Sequence, residues 1–94
     1  MNPYQSTLKG FTSLLKVTLE KIEGMPEYDF QAGMIRSHIE INQGLLEMDL
    51  SAEQVLESEP ALKKAIGSFL KFIAILLDDT VDNTLHILFS AKPM

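Results

Sequence analysis

Ninety-four residues with 46% hydrophobic side chains make one folded domain with its own core and exclude a disordered chain. The absence of cysteine excludes disulfides and thiolate metal sites. The net charge of −5 comes from the middle, where residues 27–59 carry eight acidic groups against Arg36 alone, and that balance argues against direct nucleic-acid binding.

Asn2-Pro3 reads as a helix start, with Asn as the cap and Pro in the first turn, where its missing N–H does no harm. Leu8, Phe11, Leu15, Leu19 and Ile22 recur at steps of three and four, which predicts an amphipathic helix over 4–23. Gly24 followed by Pro26 predicts a left-handed cap and a stop. Gly10, inside the helix, predicts fraying of the first turns.

A second helix is predicted from about Pro26 to Met48, with Glu27 and Asp29 near its positive end. Phe30, Met34, Ile41, Leu45 and Met48 follow one line. Tyr28, Ile35, Ile39 and Leu46 follow another beside it. Together they cover more than the usual apolar third of a helix, so neighbours on two sides are expected. Gly33, Ser37 and Gly44 lie among them and would let a helix approach closely.

Ser51-Ala52-Glu53-Gln54 has the form of a capping box. It predicts a short helix over 52–58 that buries Val55 and Leu56, followed by a separate helix starting at Pro60 and reaching about residue 89. Within that last helix Phe69–Leu77 is apolar at every position but Lys71, so it is expected to be the central helix. Its uncharged run 72–77 is six residues long, against the roughly 20 that span a bilayer. The start of the chain lacks the basic and apolar runs of a signal peptide, so a cytoplasmic protein without a membrane segment is expected. A helix break near Asp78–Thr80 and a strand over Thr84–Phe89 are the weaker alternatives.

Little here suggests chemistry. Asp78, Asp79 and Asp82 form a DDxxD pattern, which resembles the magnesium–diphosphate motif of helical prenyl-transferring enzymes. Five residues carry that resemblance and no second acidic cluster accompanies it, so a solvated helix junction is expected instead. His38 and His86 are 48 positions apart, without a histidine partner at one-turn spacing, and a metal site would have to recruit Glu40 or Asp82. The glycines are isolated and cradle no phosphate. No enzyme, cofactor or metal is expected.

The expectation is an all-α single domain over 1–94, a small bundle of three longer helices plus one short one. Its apolar surface exceeds what a lone bundle readily covers, which predicts a homodimer through Met34, Ile41, Leu45, Phe72 and Ile75. The leading function is a non-enzymatic protein-binding module: an adaptor, regulator or inhibitor whose acidic segment meets a basic protein surface. Glu40, Glu47, Asp49, Glu53, Glu57 and Glu59 would make that contact. In its sharpest form this is an inhibitor of a nucleic-acid-binding protein, of the size found on phages and mobile elements, with carboxylates in the place of phosphates. The alternative is a helical sensor that binds a small apolar ligand between its helices, with Tyr28 or His38 as the polar contact.

Overall fold

A computed structural model describes residues 2–76. They form three helices in chain order: α1 (Pro3–Ile22), α2 (Asp29–Glu47) and α3 (Ala52–Leu76), with a single 3-10 turn (Pro26–Tyr28) before α2. No strand occurs among the described residues. The DDxxD segment, His86, the predicted helix from residue 77 to about 89, the break near Asp78–Thr80 and the alternative strand lie outside them.

α1 starts as its sequence dictates. The Gln5 backbone N–H donates to the Asn2 side-chain oxygen at 2.8 Å, and the Asn2 N–H donates to Gln5 Oε1 at 3.3 Å. Two of the free donors at the helix start are thereby satisfied reciprocally. At the other end the Glu23 N–H donates to Leu19 O, and Gly24 takes φ 85°, a left-handed conformation that glycine adopts without a Cβ clash. The fraying expected from Gly10 does not occur. α1 runs unbroken through it, and Gly10 is buried.

The same logic starts α3. Gln54 N–H donates to Ser51 Oγ at 3.2 Å, and Ser51 N–H donates to Gln54 Oε1 at 2.9 Å. The predicted boundary at Pro60, however, is absent: α3 is one helix, with Pro60 in its interior. A proline there removes one hydrogen bond to Leu56 O and crowds that carbonyl. Leu56 and Pro60 both face solvent, so water can take the place of the missing donor. Leu56, expected inside, is 68% exposed, while Val55 is half-buried against the core.

α1 is the helix the other two lean on. Tyr4, Leu8, Phe11, Leu15 and Ile22 are buried along it and join Ile35 of α2 and Leu62, Phe69 and Ile73 of α3. Each large side chain removed from water in this way contributes roughly 1.5–3 kcal/mol. Thr12 and Thr18 are buried too, and their hydroxyls donate back to Leu8 O (2.7 Å) and Leu14 O (2.8 Å). The expectation that α3 would be central is therefore revised for the described residues. Its apolar run leaves Ile75 67% exposed and Leu70, Phe72 and Leu76 half-buried.

The pairings also fix direction. Phe11 meets Phe69 at 6.3 Å between ring centres, and Lys21 Nζ donates to Leu76 O at 3.3 Å, so α1 and α3 run the same way. α2 runs the opposite way: Tyr28 at its start meets Phe72 (5.9 Å), and His38 further along meets Phe69 (4.9 Å). Both α2 and α3 pack along α1 but approach each other much less closely. A groove between α2 and α3, with α1 as its floor, is the result.

Candidate functional site

That groove contains a half-enclosed cavity of about 320 Å³. Tyr4 and Leu8 form its floor, and Ile41 and Leu45 one wall. Ala61, Leu62 and Ala65 form the other, where two alanines in place of larger residues leave the space open. Four polar residues also border it: His38 and Asn42 on α2, Glu57 and Ser58 on α3.

Asn42 is the unusual member. It is 5% exposed, and its Nδ2 has no hydrogen-bond partner among the described residues. Leaving a buried amide donor unpaired costs about 1–3 kcal/mol, whereas an apolar side chain of similar shape would cost nothing of the kind. His38 sits one helical turn before it. Its Nδ1 lies 3.0 Å from Met34 O, and a carbonyl can only accept, so this nitrogen carries the proton. The ring stands nearly perpendicular to that of Phe69, at 73° between planes. His38 itself is half-buried.

The six acidic residues expected to meet a partner distribute over two helices and their connection. Glu40, Glu47, Asp49, Glu53 and Glu57 are exposed, and Glu59 is half-buried. Glu57 borders the groove; Glu59 lies on another side of α3, beside Pro3, Tyr4 and Lys63. None of the six is ion-paired among the described residues, where the one salt bridge joins Arg36 to Glu23 at 3.7 Å. Their charge is thus open to solvent and to a partner.

The five expected interface residues do not form one face. Ile41 and Leu45 border the groove. Met34 lies in a shallow surface depression with Phe30, Gly33 and Ser37. Ile75 sits at the opposite end from Leu45, near Met25 and Tyr28. Phe72 is half-buried against Tyr28, so it contributes to the internal packing. What does form a row is the outward side of α2, where Phe30 (76%), Met34 (40%), Ile41 (58%) and Met48 (51%) are exposed. A Cβ added at Gly33 or Gly44 beside that row would meet nothing within 4 Å.

Asn42 was missed by sequence reading, although a signal existed. Tyr28, Ile35 and Asn42 are spaced by seven, which puts Asn42 on the buried line of α2. Tyr28, named with His38 as a possible ligand contact, lies at the other end of α2 and does not border this cavity.

Among the described residues, no group of histidine and acidic side chains could hold a metal ion. No helix among them is long and apolar enough to cross a membrane. Comparison with protein-family models, with curated proteins and with solved structures finds no match.

Proposed function

We propose that the protein is a non-enzymatic protein-binding module that self-associates through the outward side of α2. The observation that carries this reading is the exposed row Phe30, Met34, Ile41 and Met48, set opposite the buried edge of the same helix. Apolar rows of this kind on a folded domain mark interaction surfaces. Two copies of α2 laid antiparallel suit the row. One register pairs Phe30 with Met48, Met34 with Gly44 and Ile41 with Ser37 of the second copy, so large side chains oppose small or flexible ones. The open Gly33 and Gly44 supply the close approach.

The register also brings the two Glu40 side chains near the two-fold axis, where like charges repel. Dimerisation therefore tightens as salt rises and tightens further in Glu40→Gln. Light scattering across a concentration series tests the reading directly. A monomer at high micromolar concentration in physiological salt sinks it.

The acidic surface serves a second contact, with a basic protein surface. Glu47, Asp49, Glu53 and Glu57 follow one another across the α2–α3 connection, exposed and without ion-pair partners among the described residues. Such a surface accelerates association with a basic partner, and salt slows it. In the sharper form of the reading, that partner is a nucleic-acid-binding protein and the carboxylates occupy its phosphate positions. Pull-down from native host extract, repeated with Glu53→Lys/Glu57→Lys, is the test. The wild-type chain retains a basic protein that nucleic acid displaces; the variant loses it while keeping its helical circular dichroism. Equal capture by both rejects the acidic contact.

A further inference from the structure

The cavity between α2 and α3 has a different character from either surface above. Its walls are mostly aliphatic, and its volume of about 320 Å³ is that of the smallest ligand sites. Its border is poor in hydrogen-bond donors. Asn42 gives none, because its Nδ2 is sealed from solvent. His38 spends the one proton of its neutral ring on Met34 O, which leaves Nε2 as an acceptor. The Glu57 carboxylate can only accept, and it is exposed and without an ion-pair partner among the described residues. The hydroxyls of Tyr4 and Ser58 serve either way, and among the described residues no lysine or arginine borders the space. We infer that this cavity binds a small primary alkylammonium, with the hydrocarbon chain inside and the charged head at the mouth beside Glu57.

The lining dictates each part of that ligand. Leu8, Ile41, Leu45 and Leu62 ask for an apolar body. Ala61 and Ala65 keep the α3 wall short enough to admit it. A surplus of acceptors and one negative charge ask for a head that donates and is positive. Because Glu57 is exposed, the head pairs with it without leaving water, and no charge is buried. A pair of that kind raises affinity up to about fivefold. The net charge of −5 turns a carboxylate head away. The site stands apart from the contacts proposed above, since Glu57 is its one acidic member among the described residues.

The test uses the full chain, labelled with ¹⁵N, and three probes of matched length: hexylammonium, hexan-1-ol and hexanoate. Hexylammonium is expected to shift the backbone signals of Leu45 and Ala65 saturably. It is expected to bind about two- to fivefold more tightly than hexan-1-ol, with hexanoate weakest. Ile41 is not the reporter, because it also belongs to the outward row of α2. The preference for the ammonium over the alcohol is expected to fade between about 0.01 M and about 1 M salt. Glu57→Gln, at an exposed position, is expected to erase that preference and leave hexan-1-ol binding as it was. Ala61→Phe, exposed on the rim, fills the space and is expected to remove binding of all three probes. The absence of a saturable shift for any probe in the folded protein overturns the inference. So does hexanoate binding as tightly as hexylammonium, a preference that survives in Glu57→Gln, or hexylammonium shifts centred on Glu47, Asp49 and Glu53.

Discussion

At the scale of single residues, burial and satisfied donors decide what each position tolerates. Ile35 has no exposed surface and sits where α2 meets α1, so Ile35→Ala is expected to cost about 2–5 kcal/mol, read as a lower denaturant midpoint at unchanged slope. Asn2 holds the start of α1 through its side chain, and Asn2→Ala is expected to cost about 0.5–2 kcal/mol on the same measurement. Asn42 behaves in the opposite sense. Asn42→Leu removes an unpaired buried donor while keeping the volume, and is expected to raise the unfolding free energy by about 1 kcal/mol. A destabilised Asn42→Leu chain would mean that the amide is satisfied after all. Much of this scale was legible in the sequence where the signal is local: Asn2-Pro3, Gly24 before Pro26, and Ser51 with Gln54 are each complete within a few residues. Asn42 was not, because an amide reads as surface until the heptad line through Tyr28 and Ile35 is extended to it. The buried Thr12 and Thr18 escaped for a related reason, since each hydroxyl is satisfied by its own helix and leaves no trace in the hydropathy pattern.

At the scale of helices, the departures from expectation share one cause: tertiary contacts override local breakers. Gly10 does not loosen α1, because the helix is buried there. Pro60 does not end α3, because the turns on both sides are anchored by Val55 and Leu62 against the core. The strain remains measurable, and Pro60→Ala is expected to stabilise α3 by about 1–3 kcal/mol and to raise the thermal midpoint. A fall in that midpoint would show that the ring itself packs usefully. The glycines of α2 separate two states of the molecule. With nothing near Gly33 or Gly44 within a single copy, Gly→Ala at both favours the folded monomer by roughly 0.5–1 kcal/mol per site. The same pair of methyl groups obstructs close helix approach and is expected to weaken the proposed dimer. Sedimentation at several concentrations, beside denaturation of the dilute protein, reads the two effects separately.

At the scale of the whole molecule, the all-helical class was legible because the apolar periodicity is that of helices from Leu8 onward. Which helix lies innermost was not. The run Phe69–Leu77 is the most apolar in the chain, yet hydropathy does not state how many neighbours a helix has. α1, with a plainer stripe, is touched by both of the others, while Ile75 stays open to solvent. The acidic middle third is likewise visible as a composition but its spread over α2, the connection and α3 is a product of the turn at Met48–Ser51. Self-repulsion among these carboxylates is expected to make the folded protein more stable in 0.15 M salt than in 0.01 M, by thermal denaturation of the monomer. The arrangement of α1 against both neighbours also has a bearing on synthesis. A ribosome releases α1 and α2 first, and they can zip into a hairpin while α3 is still being made; α3 then only has to settle into a seat already half built. A chain assembled in that order spends little time with its longest greasy helix unaccompanied, which is when such a helix does harm.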